Sequence, residues 1–209
     1  MNYLFDICDT LYYSNTTFDF ISFFLKRENP SSLEKFNRIS KRKTAIFILR
    51  YSVLKLFKLD LFRIKAVTFL KGYSKEKLSD GVSAFYNEYL VKKEIGQTMN
   101  ILKDNLNKTI LVSSSLDIIV NEIAKNLKVK KFFSSELEFK NEICSGRLIL
   151  DITGKKYKYF KNANYIVYTD NYSDYSLVKN ATIKNVIVHN YTAKLFWKRL
   201  APNFIELYK

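Results

Sequence analysis

Four polar side chains in this sequence could together bind and attack a phosphate group. Asp6, Ser113 and Asp170 each follow a short apolar run typical of a buried strand, and Lys156 opens a candidate helix. Asp6 and Asp170 could share one Mg²⁺ ion, which prefers carboxylate, carbonyl and water oxygens. A serine hydroxyl and N–H groups at a helix start suit phosphate oxygens, and the lysine adds a positive charge. These residues predict a phosphate site with Asp6 as its nucleophile.

The lysine of this site has two candidates, Lys155 and Lys156. We prefer Lys156 because Tyr159 and Phe160 then give its helix an apolar face. Lys155 remains the alternative.

Three further residues complete the predicted site. Asp174 lies four positions after Asp170 and could orient Lys156 or a metal-bound water. Thr10 and Ser114 lie in the polar turns that follow the first two strands, where they are expected to contact the substrate.

The elements around these residues alternate between strands and helices. Apolar runs predict strands at 3–7, 108–112, 132–139, 143–150, 165–168 and 185–188. Helices are predicted at 18–25, at 44–71 as two helices meeting near 59–60, and at 75–91, 95–106, 116–127, 155–161 and 173–180. This alternation is typical of an α/β fold with a Rossmann-like parallel sheet, whose sites lie at the carboxyl ends of the strands.

The segment 15–95 is helical throughout and separates the first strand from the second. We therefore expect an inserted all-helical cap at 15–95 and a sheet core formed by 1–14 and 96–209. Within the cap, Ser31 and Glu34 fit a capping box at a helix start. In the core, Ser114 and Asp117 are expected to start the helix 116–127.

Four motifs, in this order, resemble those of the haloacid dehalogenase superfamily of phosphohydrolases, and within it the phosphoserine-phosphatase-like branch. The motifs are Asp6-Ile7-Cys8-Asp9-Thr10-Leu11, Ile110-Leu111-Val112-Ser113, Gly154-Lys155-Lys156 and Thr169-Asp170-Asn171-Tyr172-Ser173-Asp174. The resemblance covers about 1–14 and 96–190. The position of the insertion looks like that of the family's first type of helical cap.

The resemblance implies a phosphatase that forms an aspartyl-phosphate on Asp6 and then hydrolyses it, with Mg²⁺ present. The family's metal is bound by the first Asp, by the backbone carbonyl two residues on, and by the fourth-motif Asp. These positions correspond to Asp6, Cys8 and Asp170. Asp174 is a further candidate for a metal ligand.

Cys8 departs from the family pattern, because phosphatases of this family have there a second Asp that acts as general acid and base. Such proton transfer contributes about 10²–10⁴-fold to a rate, and a thiol with a pKa of about 8.5 is a poor substitute. The enzyme could be a slow phosphatase, could use a good leaving group or another base, or could transfer phosphate instead. The rival hypothesis is a decayed, non-hydrolytic protein that binds phosphate or associates with a membrane.

The net charge of +15 is concentrated in one segment. Residues 26–71 hold 13 Lys/Arg and 3 Asp/Glu, and are also rich in Phe, Leu and Ile. Three interpretations stay open: a cap with a solvated basic face, a cap that touches anionic membrane surface, and nucleic-acid binding, which no dedicated motif supports. A small phosphorylated substrate, amphiphilic or sugar-linked, suits the first two.

The remaining composition is that of a folded intracellular protein. Two cysteines give neither a disulfide framework nor metal-ligand spacing, and no signal peptide is recognisable at the N-terminus. We expect a cytoplasmic protein, with peripheral membrane contact as the variant.

Overall fold

The protein's structure is a computed structural model that describes residues 1–40 and 60–208. Seven strands form one sheet in the order β4-β3-β2-β1-β5-β6-β7. Their bounds are β1 Asn2–Phe5, β2 Thr109–Leu116, β3 Lys131–Lys140, β4 Ile143–Leu150, β5 Tyr165–Thr169, β6 Ile183–Val188 and β7 Asn203–Glu206. Neighbouring strands are parallel except β3 and β4, which form an antiparallel hairpin. The predicted Rossmann-like α/β sheet is confirmed.

Eight α-helices lie within the described residues. They are α1 Thr16–Glu28, α2 Pro30–Ser40, α3 Leu61–Val67, α4 Lys75–Phe85, α5 Gly96–Asp104, α6 Asp117–Leu127, α7 Tyr175–Lys179 and α8 Tyr191–Lys198. A π-helical turn, Tyr86–Leu90, continues α4. Of the helix pair predicted at 44–71, residues 44–59 lie outside the described residues. Among the described helices, none is both long and apolar enough to cross a bilayer.

Alternating side chains of the sheet divide the core into two layers. On β1, Leu4 packs with Trp197 and Val178 on one face, while Phe5 points to the other face. The helices α7 and α8 cover the first face, and α1 and α4 to α6 cover the second. Because successive side chains of a strand point to opposite faces, each strand buries apolar residues on both sides of the sheet, as is typical of parallel sheets.

The helical insertion shares its core with the sheet. Phe20, Phe24 and Phe85 belong to the same buried cluster as Phe5 and Leu111 of the sheet. The helices between β1 and β2 thus contact the sheet extensively. The bounds of the cap, residues 15 and 95, stay a prediction.

The insertion also follows the edge of the hairpin. Gly72 N donates to Cys144 O and Cys144 N donates to Tyr73 O, both at 2.9 Å. Lys75 N donates to Glu142 O at 2.8 Å. These bonds cover part of the outer edge of β4, which would otherwise expose unpaired backbone groups.

The capping box predicted at Ser31 and Glu34 is wrong. The helix α2 begins at Pro30, one residue earlier, and Asn29 Oδ1 accepts the backbone N–H of Ser32 at 3.0 Å. Proline suits the first helical position because the N–H it lacks would have no partner there. Asn29 is therefore the capping residue.

The helix predicted at 116–127 is confirmed, but the cap predicted at Ser114 and Asp117 is wrong. The strand β2 continues through Ser114 to Leu116, and α6 has no side-chain cap. Asp117 Oδ1 instead accepts the backbone N–H of Leu137 at 3.0 Å. A tertiary hydrogen bond to the neighbouring strand replaces the local one.

Candidate active site

Asp6 lies directly after β1, at the carboxyl end of the central strand. Its backbone N–H donates to Tyr168 O at 2.9 Å, which fixes the residue to the neighbouring strand β5. One carboxylate oxygen, Oδ1, accepts the N–H of Ile7 at 2.8 Å. The other, Oδ2, lies 2.9 Å from Lys156 Nζ. The side chain is only 3% exposed, so this ammonium is its main electrostatic partner.

Lys156 stands between two carboxylates. Its Nζ donates to Asp174 Oδ2 at 2.7 Å, and the hydroxyl of Thr169 donates to the same oxygen at 2.8 Å. Lys155 Nζ points elsewhere and donates to the carbonyl of Asp151 at 3.2 Å. The structure therefore brings Lys156, and not Lys155, to Asp6.

Burial and the neighbouring charges shift the pKa values of both Lys156 and Asp174. Burial alone would discharge Lys156, but the carboxylates of Asp174 and Asp6 outweigh it and raise the pKa of the lysine. Burial raises the pKa of Asp174, with Lys156 acting in the opposite direction. Lys156 therefore remains an ammonium at any physiological pH.

Asp170 follows β5 and is held by Thr10. The Thr10 hydroxyl donates to Asp170 Oδ1 at 3.3 Å and accepts the N–H of Asp170 at 3.2 Å. Burial and the charges of Asp6, Asp9 and Asp174 raise the pKa of Asp170 well above its usual range. The hydroxyl of Thr10 is thus engaged in placing Asp170.

Cys8 lies in a cluster of hydroxyl groups. Its Sγ is 3.4 Å from both Thr16 Oγ1 and Ser115 Oγ, and these two oxygens are 2.5 Å apart. Burial and the negative charge of Asp6 raise the pKa of the Cys8 thiol to about 11. At neutral pH the thiol keeps its proton and is a poor general base.

His189 supports the turn that carries Asp6 and Cys8. It follows β6, and its Nε2 lies 2.6 Å from the backbone carbonyl of Asp9. Asp9 has a left-handed backbone, with φ of 48°. The imidazole thus contacts the backbone of this turn from two strands away.

A polar cleft of about 130 Å³ opens above Asp6 and Cys8. It is lined further by Asn15, Thr17, Phe18, Asp60, Arg63, Ser113, Ser114, Ser115, Thr153, Asn171 and Ser173. The Ser113 hydroxyl donates to Ser115 Oγ at 3.2 Å, whereas the buried Ser114 Oγ has no hydrogen-bond partner within the described residues. Both predicted serines therefore reach the cleft.

Arg63 reaches the cleft from α3, and our sequence reasoning missed it. The guanidinium pairs with Asp151 and donates to the carbonyl of Ser114. In the sequence Arg63 is one of several basic residues spaced along an apolar stretch. The one available signal was local: Asp60 three residues earlier, which caps α3 by accepting the N–H of Arg63 at 3.2 Å.

Asp6 and Asp170 bring two carboxylates to one edge of the sheet. Among residues 1–40 and 60–208, no three His, Cys, Asp or Glu side chains converge to form a metal site by themselves. A metal here would therefore need backbone or solvent oxygens as well, and the predicted set includes the carbonyl of Cys8.

The site and fold agree with one enzyme family. A family model described as haloacid dehalogenase-like hydrolase matches residues 3–179. The chain belongs to the haloacid dehalogenase-like hydrolases, as its four motifs predicted.

Solved structures share its fold at low sequence identity. A protein of unknown function from Bordetella pertussis Tohama I is 15% identical with a TM-score of 0.77, covering 98% of this chain and 97% of the other. An apo phosphoserine phosphatase is 20% identical with a TM-score of 0.61, covering 97% and 92%. A cytosolic 5′-nucleotidase IIIB bound to cytidine is 12% identical with a TM-score of 0.65, covering 100% and 80%. No curated protein matches the chain.

Proposed function

We propose that this protein hydrolyses phosphomonoesters through a phosphorylated Asp6, with Mg²⁺ as cofactor. The observation that carries the proposal is the environment of Asp6. A buried carboxylate at the end of the central strand has an ammonium 2.9 Å from one oxygen and faces a serine-lined cleft. This arrangement suits a carboxylate nucleophile for an anionic substrate.

The reaction has two displacements at phosphorus. In the first, an oxygen of Asp6 forms a bond to phosphorus while the ester bond breaks, and the leaving alkoxide takes a proton from solvent. In the second, water forms a bond to phosphorus while the bond to Asp6 breaks. Phosphate and the free carboxylate result, and no redox partner is needed.

The residues present suit Mg²⁺. Lys156 contacts the carboxylates of Asp6 and Asp174, whose charges also raise the pKa of nearby Asp170, so the group has more carboxyl groups than ammonium groups. Asp6, Asp170 and the carbonyl of Cys8 would hold the ion with hard oxygen atoms. When bound, Mg²⁺ would neutralise the incoming phosphate and lower its repulsion from Asp6.

The chain's own residues would divide the remaining work. Lys156 would hold the phosphate and Asp6 by its charge, and Asp174 would orient Lys156 through their 2.7 Å contact. Ser113 and Ser114 would offer hydroxyl and N–H groups to the phosphate oxygens. Thr10, predicted to touch the substrate, would act through Asp170.

A second candidate is phosphoryl transfer or phosphate binding without hydrolysis. Cys8 favours it, because a thiol surrounded by hydroxyl groups cannot readily activate water for the second displacement. Lipid-linked substrates, membrane contact through the basic segment and a cytoplasmic location stay predictions.

The decisive experiment is phosphate release from a panel of phosphomonoesters, with Mg²⁺ and then with chelator. Release that requires Mg²⁺ and is abolished in Asp6→Asn is the expected result. Lys156→Met should lower the rate by at least about 100-fold, while its neighbour Lys155→Met serves as the matched control with little effect. Release that persists in Asp6→Asn would overturn the proposal, and no release from any ester would favour the second candidate.

A further inference from the structure

The positive charge of Arg63 is neutralised within the wall of the cleft. Its Nη2 pairs with Asp151 Oδ1, and the two side chains are only 6% and 12% exposed. Its Nη1 donates to the carbonyl of Ser114 and to Ser135 Oγ, the latter at 3.2 Å. Burial alone would raise the pKa of Asp151, but the guanidinium outweighs it and lowers that pKa. The pair is therefore ionised and carries no net charge at neutral pH.

Among residues 1–40 and 60–208, most of the other residues that line the cleft are polar and uncharged. Eight of its residues carry hydroxyl or amide groups: Asn15, Thr17, Ser113, Ser114, Ser115, Thr153, Asn171 and Ser173. The hydroxyls of Ser114 and Ser173 are buried and have no hydrogen-bond partner within the described residues. Buried hydroxyls without a partner are costly, so a ligand that bonds to them gains affinity.

An anionic group and a hydroxyl group on the substrate would interact differently with this wall. A second anionic group would meet a cation already paired with Asp151. A substrate hydroxyl could instead bond to Ser173, since Ser114 is assigned to the phosphate. The small volume, about 130 Å³, also favours a short organic group.

We propose that the Arg63–Asp151 pair makes the cleft select small phosphomonoesters whose organic part is uncharged and hydroxylated. The inference rests on the proposed function and names the substrate class of that site. Asp151 is then a positioning residue for specificity, because it acts on the substrate through Arg63. The fold alone does not name the substrate class, because one protein of similar fold is a phosphoserine phosphatase and another is a 5′-nucleotidase.

Two probe substrates of nearly equal shape test the inference. Glycerol 3-phosphate carries a terminal hydroxymethyl group, and 3-phosphoglycerate carries a carboxylate in its place. In the wild-type enzyme with Mg²⁺, kcat/KM should be at least about tenfold higher for glycerol 3-phosphate. Equal values, or a preference for the carboxylate compound, would overturn the inference while leaving the proposed function intact.

The variant Asp151→Asn should free the charge of Arg63 while keeping the shape of the side chain. We expect the preference for glycerol 3-phosphate to shrink by about tenfold, chiefly through a lower KM for 3-phosphoglycerate. Asp117→Asn is the control, since it removes a half-buried carboxylate that bonds to Leu137 and not to Arg63. An unchanged ratio in folded Asp151→Asn would overturn the role of the pair.

Failure of the proposed function would look different. If wild-type enzyme releases phosphate from no ester, both the function and this inference fall. If Asp151→Asn does not fold, as judged by circular dichroism, the wild-type ratio of the two probes alone decides whether the substrate class holds.

Discussion

At the scale of single residues, the proposed function depends most on Cys8, which we expect to set the rate of hydrolysis. Its side chain contacts two hydroxyl groups and lines the same cleft as Asp6. It therefore occupies a position from which a carboxylate could reach the reacting atoms. The backbone carbonyl of the same residue can serve the metal whatever the side chain is, so the two roles of position 8 are separable.

The variant Cys8→Asp tests this separation. The new carboxylate would accept hydrogen bonds from Thr16 and Ser115 and could exchange protons with the leaving group and with water. We expect hydrolysis of alkyl phosphates to accelerate by about 100-fold, a typical contribution of general acid–base catalysis. The measurement is steady-state phosphate release at pH 7.

Cys8→Ser is the matched control, because it keeps the size of the side chain without supplying a titratable group. It should leave the rate within a few-fold of wild type. If Cys8→Asp is slower than Cys8→Ser, the site is adapted to its thiol, and the non-hydrolytic candidate gains support.

At the scale of elements, the hairpin β3–β4 is where the helical insertion meets the sheet. The turn Thr68–Leu70 and α3 pack against β4, and Arg63 of α3 reaches the site from there. Gly146 on β4 makes this approach possible. Its φ is +75°, and a Cβ atom there would lie 2.9 Å from Lys71 Cβ and 3.2 Å from Thr68 Cα.

Gly146→Ala should therefore destabilise the protein by about 2–4 kcal/mol, from backbone strain and from the clash together. Gly72→Ala is the control, since its φ of +89° imposes comparable strain but no atom lies within 4 Å of the added Cβ. Gly72→Ala should lower the free energy of unfolding by about 1 kcal/mol. Urea unfolding measures both, and equal losses would contradict a tight contact between residues 68–71 and β4.

At the scale of the whole molecule, a strongly basic chain encloses an acidic site. The net charge is +15, yet Lys156 contacts two carboxylates, Asp6 and Asp174, and a third, Asp170, lies near enough to be affected by their charges. Repulsion among these carboxylates opposes folding when no cation is bound. If the proposed function holds, the excess of positive charge over the whole chain should draw anionic substrates towards this site.

Metal binding should consequently stabilise the whole fold. At about 100 times its dissociation constant, Mg²⁺ should add about 2.7 kcal/mol to the free energy of unfolding relative to chelated protein. Trp197 is the only tryptophan and is fully buried, so its fluorescence reports global unfolding. The variant Asp170→Asn should lose most of this stabilisation, and an equal gain in that variant would contradict Asp170 as a ligand.

The sequence alone determined the sheet and the order of its motifs. Apolar runs and the polar residues that follow them are local signals, so Asp6 and Asp170 could be assigned to strand ends before any contact was known. Ser113 was assigned to a strand end too, but it lies within β2, which continues to Leu116. The sequence did not reveal β7, a four-residue strand whose pairing with β6 is tertiary. It also misassigned two helix caps, because one helix begins at Pro30 and because Asp117 accepts the N–H of Leu137 instead of capping its own helix.

Only the tertiary structure decided which side chains meet. The choice of Lys156 over Lys155 depends on distances of 2.9 and 2.7 Å to Asp6 and Asp174, which no spacing along the chain specifies. Arg63 and Asp151 are 88 positions apart, and their pairing follows from the docking of α3 beside β4. Patterns along a chain fix what each element buries, whereas partners across elements depend on how those elements pack.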